Sequence, residues 1–143
     1  MSRAIAVVAL ALGMMAGPLA AGADDGPTAL TCEFKEGASW SYEKGAFKSK
    51  DPSPLTFDIE SINLEAETAT LLAAPRAAPG TLRIVRAINA NHFLEVVNEG
   101  FLNLTTVYDK DAATGLYPAV HSRHFGLLGE PVFGQYVGTC RAK

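Results

Sequence analysis

A small antiparallel β-barrel of about eight strands, closed by one disulfide and preceded by a signal peptide, is the fold this sequence predicts. Three observations predict it. Apolar residues recur at period two in short runs, separated by turn signals about every ten residues, the pattern of an all-β domain. The chain holds two cysteines, Cys32 and Cys140, so each is the other's only intramolecular partner. The N-terminus reads as an export signal, which places that pair where disulfides form and persist. A barrel is preferred to a sandwich because closure removes the exposed sheet edges and leaves room for side chains or one small ligand.

The export signal consists of Arg3, an apolar run over residues 4–16 and the small residues Ala21-Gly22-Ala23 before Asp24. Residues 1–23 are therefore expected to be removed, leaving 24–143 as a single domain in the periplasm or outside the cell. No later segment approaches the roughly 20 apolar residues of a membrane-spanning helix, so no transmembrane segment is expected after cleavage. The formal net charge is −3, and loss of Arg3 makes it more acidic. With basic residues dispersed, this balance argues against nucleic-acid binding. A bridge from Cys32 to Cys140 closes a loop of about a hundred residues and is worth roughly 4–5 kcal/mol in the chain-entropy model. The absence of a Cys-x-x-Cys spacing argues against redox chemistry.

Along the chain, Leu30, Cys32 and Phe34 share one side of a first strand. Glu36-Gly37 is read as a turn, and residues 39–43 as a second strand before a bend at Gly45. Residues 48–54 are read as a polar loop, because Pro52 and Pro54 cannot sit in a central ladder. Leu55, Phe57 and Ile59 alternate with Thr56, Asp58 and Glu60, which predicts a half-buried strand. Residues 63–74 mix helix formers with Thr68 and Thr70. Strand is chosen there because both neighbours are strands. After a loop at 75–80 come a strand over 81–88 and a turn at 89–91. Residues 92–97 and 101–108 then form a hairpin, with Gly100 suited to the left-handed position of a three-residue loop. A turn at 109–115, a strand over 116–121, a link over 125–130 and a final strand over 131–140 complete the domain.

The candidate site residues are His121, Ser122, Arg123, His124, Glu95 and Tyr108. On a helix His121 and His124 would share a face and suggest a metal. On a strand their odd spacing sends the rings to opposite faces, so no metal and no other cofactor is expected. Ser122 lies between them without a Gly-x-Ser-x-Gly elbow, and Arg123 suits an anion or an acidic neighbour. If Phe93 and Val97 face inward, Glu95 does too, and a buried carboxylate there needs a partner such as Arg83, Arg86 or Arg123; with the register shifted by one, Glu95 is solvated. Trp40, Tyr42, Tyr108, Tyr117 and Tyr136 are candidates for pocket walls or core packing.

Phe93-Leu94-Glu95, Gly100, residues 105–108, Ala119-Val120-His121-Ser122-Arg123-His124 and Gln135-Tyr136-Val137-Gly138-Thr139-Cys140 together resemble a group of small exported proteobacterial proteins of unassigned function. That resemblance implies export and a shared fold and brings no catalytic residues. The strand order resembles the calycin barrels, lipocalin and avidin, at the level of fold alone. The expectation is a non-enzymatic binder of a small ligand or an envelope partner, with the barrel mouth as its site. A metal-dependent or serine hydrolase using residues 121–124 and a structural or inhibitory envelope protein are the alternatives.

Overall fold

The computed structural model describes residues 26–73, 78–97, 101–126 and 129–143. The expectations for the signal peptide, for residues 74–77 and for the left-handed Gly100 lie outside these. Nine strands follow one another: β1 (Leu30–Glu43), β2 (Ala46–Lys50), β3 (Leu55–Asn63), β4 (Thr68–Leu72), β5 (Gly80–Arg86), β6 (Ala90–Val97), β7 (Phe101–Tyr108), β8 (Tyr117–Phe125) and β9 (Val132–Ala142). From β3 to β9 each strand pairs antiparallel with the next, and β9 pairs back to β1. The sheet thereby closes as an eight-stranded barrel of β1 and β3–β9, with β2 as an extension of β1.

The register explains β2. Ser39 faces Lys50 and Phe34 faces Leu55, a five-residue step on both sides, so β2 and β3 are two pieces of one arm running back along β1. Residues 51–54, with Pro52 and Pro54, form the gap between them. The polar loop expected over 48–54 is thus shorter than predicted, since Lys48–Lys50 continue the ladder. The turn joining β1 to β2 has Lys44 at φ 53° and Gly45 at φ 85°, the two positive values a tight two-residue hairpin needs.

The turn expected at Glu36-Gly37 is also absent, because β1 runs through it as one strand. A bulge between Phe34 and Glu36 inserts Lys35 without a partner on β9. The extra residue shifts the alternation from Leu30, Cys32 and Phe34 to Gly37 and Ser39, and this phase change is what made one strand read as two. Here β1 crosses β9 so closely that a Cβ on Gly138 would collide with the backbone carbonyl of Glu33, and one on Gly37 with that of Gln135. Gly138→Ala and Gly37→Ala are each expected to cost about 2–3 kcal/mol, since a backbone rather than a flexible side chain must yield. Urea unfolding measures this, and a change below about 0.5 kcal/mol would refute the close approach.

Residues 63–74 contain the expected strand as β4, preceded by a turn over 64–67. There Asn63 Oδ1 accepts the amide of Ala66 at 2.8 Å and Glu67 has φ 55°. The helix formers of this stretch therefore serve a turn. β5 ends at Arg86 and leaves Ala87 and Ile88 outside the strand, while β8 continues past His121 to Phe125. The turn at 109–115 forms as expected: Asp111 accepts Ala113 N at 2.9 Å and Thr114 Oγ1 at 2.8 Å.

The interior is filled at mid-height by Phe34, Phe57, Ile59, Ile84, Phe93 and Tyr136, all buried. The disulfide joins Cys32 to Cys140, which are directly opposed on β1 and β9. It lies on the seam where the barrel closes. Outside that seam, Lys143 reaches Asp58 at 2.9 Å and Glu60 at 2.5 Å, holding the last residue against β3.

Candidate functional site

The barrel has two unlike ends. At one end lie the described N-terminal residues, the last residues of β9 and the turns after β3, β5 and β7. A cavity of about 880 Å³ opens there. Leu30, Phe93 and Val107, all buried, contribute to its floor. Ile62, Leu64 and Tyr117 add apolar wall, and Arg86, Asn91, Tyr108, Asp109 and Lys110 supply polar lining. The size falls in the range of sites for small organic ligands, and the accessible lining is more polar than apolar.

Beneath this cavity the barrel is plugged by a ring layer. Phe34 stacks on Phe57 with centroids 5.5 Å apart. The His121 ring sits 5.6 Å from Phe34, 5.1 Å from Phe57 and 5.9 Å from Tyr136. Its Nδ1 shares a buried hydrogen bond of 2.8 Å with Thr105 Oγ1, the cross-strand neighbour. Burial in this apolar layer, reinforced by the positive charge of Arg123, pushes the His121 pKa down to about 4.

Toward the opposite end the next inward row is polar. Glu95, Asn103, Arg123, Gly134 and Ser39 are successive cross-strand partners on β6, β7, β8, β9 and β1. Glu95 is 3% exposed, and Asn103 Nδ2 donates to its Oε2 at 2.7 Å. Among the described residues the buried Asn103 Oδ1 has no hydrogen-bond partner. The Arg123 guanidinium lies 5.1 Å above the Phe125 ring.

The predicted site residues are therefore divided among three places. Glu95, His121 and Arg123 face the interior. By strand alternation Ser122 and His124 face outward, and His124 stacks beside Phe133 with centroids 6.4 Å apart. Tyr108 alone lines the cavity. The alternation separates His121 from both Ser122 and His124, so this strand pairs His121 neither with Ser122 as base and nucleophile nor with His124 around a shared metal. Among the described residues no group of three or more His, Cys, Asp or Glu side chains converges to hold a metal.

Of the two directions the sequence leaves open for Glu95, the structure shows the inward one, on the same face as Phe93. Asn103, its hydrogen-bond donor, was overlooked, although its place opposite Glu95 in the predicted hairpin carried the signal. The cavity residues Arg86, Asn91 and Lys110 had no common sequence signal, because they come from the ends of β5, β6 and β7.

A closed eight-stranded antiparallel barrel with a filled middle and an open mouth is consistent with a calycin-like architecture. Comparison with protein-family models, with curated proteins and with solved structures finds no match.

Proposed function

We propose that this is an exported, non-enzymatic binding protein that takes one small amphipathic molecule in the mouth beside Gly26 and the end of β9. The cavity of about 880 Å³ carries this reading. An apolar body would rest on Leu30, Phe93 and Val107, while a polar or anionic head would meet Arg86, Lys110 and Asn91 at the rim. Residues 1–23, read as a cleaved signal, and the disulfide support export to an oxidising compartment. The hydrolase alternative is disfavoured by the opposed directions of His121 and Ser122 and by the burial of the His121 ring among Phe34, Phe57 and Tyr136.

Anilinonaphthalene sulfonate, an apolar ring system with one anionic group, tests the site by its fluorescence on binding. Asn91→Trp, which fills the cavity from the rim, is expected to weaken probe binding at least tenfold with little change in thermal stability. Arg86→Glu should weaken it several-fold. Unchanged affinity in both variants would sink the proposal, as would probe binding abolished instead by Trp40→Ala on the outer wall.

A further inference from the structure

We infer that the open edge of β2 receives an extended segment of another protein, one whose residues alternate apolar and acidic, as an added strand on the β9–β1–β2 wall. Among the described residues β2 pairs with β1 alone, so its other side is a free sheet edge. Which groups point that way follows from one hydrogen bond. Tyr42 N donates to Pro131 O at 2.9 Å, so the Tyr42 amide points away from β2. Tyr42 and its partner Phe47 are therefore a non-hydrogen-bonded pair, in which the main-chain groups of both residues point outward from the ladder. Phe47, and by alternation Ser49, then present both N–H and C=O to the open edge, while Lys48 and Lys50 bond back toward β1.

The side chains of β2 sort by face in the same way. Phe47 lies on the outer face and is 56% exposed. It joins an aromatic cluster there, 5.0 Å from Tyr42 and 5.8 Å from Phe133, which in turn stacks on Trp40 at 4.9 Å. Lys48 and Lys50 lie on the other face and are exposed. A strand laid along this edge would set an apolar side chain beside Phe47 and carboxylates beside the two lysines, the cross-strand pairs that stabilise a sheet. Lys48 already meets Glu43 at 3.3 Å, but both are largely solvated and the contact is a weak competitor.

The same lysines argue against a second copy as the occupant. Antiparallel pairing of two copies along both open positions would set Lys48 directly opposite the partner's Lys48, and like charges so placed are destabilising. Edge lysines and nearby prolines are the usual devices against self-association, and Pro52 and Pro54 close the edge beyond Lys50. What remains is a short edge open to an acidic strand, the geometry of β-strand addition.

Backbone amide NMR of the mature protein, titrated with a blocked peptide of alternating valine and glutamate, tests this. Shifts should centre on residues 46–50, with hydrogen exchange slowed at Phe47 and Ser49. Ser49→Pro removes an edge donor that takes no part in the β1–β2 ladder, and should weaken binding at least tenfold while leaving the fold unchanged. Lys48→Glu with Lys50→Glu should transfer the preference to a valine and lysine peptide. The inference is overturned if millimolar peptide shifts nothing in β2, or if the valine and lysine peptide binds the natural chain equally well. Undiminished binding by Ser49→Pro would also overturn it. So would edge protection without peptide that grows with protein concentration, which would make a second copy the occupant.

Discussion

Cys32→Ala combined with Cys140→Ala is expected to lower the unfolding free energy by about 4 kcal/mol and the melting temperature by roughly 15 °C. The size comes from the topology. Every other strand pairing of the barrel joins strands that follow one another in sequence, β1 and β3 being separated only by the short β2, so each can form from a local hairpin. Only the β1–β9 pairing joins the two ends of the domain, and its two cysteines are 108 positions apart. In the unfolded chain the bond removes the large freedom of those ends, and its loss restores that freedom. Burial of both cysteines means that alanine leaves two small apolar gaps and no unpaired polar group. Urea unfolding followed by the fluorescence of Trp40 gives the loss. Alkylation should find no thiol in the natural protein before reduction and two after it. A loss below about 1 kcal/mol would mean that ladder bonds and core packing hold the seam almost unaided.

How far the fold could be read depended on whether a local pattern had one meaning. Leu55, Phe57 and Ile59 alternate without interruption, and β3 lies where they predict it. The hairpin of β6 and β7 was equally legible, although the direction of Glu95 stayed open between inward and solvated until the register was fixed. Lys35 shows where such reading stops: one extra residue shifts every later side chain to the other face, and a bulge then looks like a turn. Pro52 and Pro54 correctly excluded a ladder at their own positions but gave no hint that Lys48–Lys50 continue one. The helix formers Leu64, Glu65 and Ala66 were ambiguous because a turn that bends the chain between two strands accepts them too.

The candidate site was less legible for a different reason. His121, Ser122, Arg123 and His124 are adjacent in sequence, yet a strand separates neighbours by face, so proximity in the chain meant separation in space. The cavity has the opposite character: Leu30, Arg86, Asn91, Lys110 and Tyr117 come from five strands or their turns and meet only after closure. The aromatic wall of Trp40, Phe47, Phe133 and His124 likewise exists only once β1, β2, β8 and β9 are side by side.

Acid is expected to destabilise the protein between about pH 6.5 and pH 4, by roughly 3 kcal/mol in total, through His121. The folded chain holds this imidazole at about 4 against an ordinary 6.5, chiefly because its ring is buried among Phe34, Phe57 and Tyr136, with Arg123 adding to the effect. Within that interval the unfolded chain binds a proton that the folded chain does not. Stability therefore rises with pH across it and is level above it. Carboxylates act lower on the scale. Asp58, Glu33, Glu43 and Asp111 are held below their ordinary values of 3.8 for aspartate and 4.5 for glutamate. The leading causes are hydrogen bonds from Lys143, Lys35, Ser41 and the Ala113 amide respectively. Their stabilising contribution is present above those ordinary values and is lost as pH falls below them. The slope between pH 5 and pH 6.5 thus belongs mainly to His121. Replacing His121 by Phe alone would strand the buried Thr105 hydroxyl, so the informative variant is His121→Phe with Thr105→Val, which removes both halves of the 2.8 Å hydrogen bond together. Urea midpoints should fall in the natural protein from pH 6.5 to pH 5 and stay level in the double variant. An equal slope in both would mean that protonation of another group, and not of His121, drives the acid response.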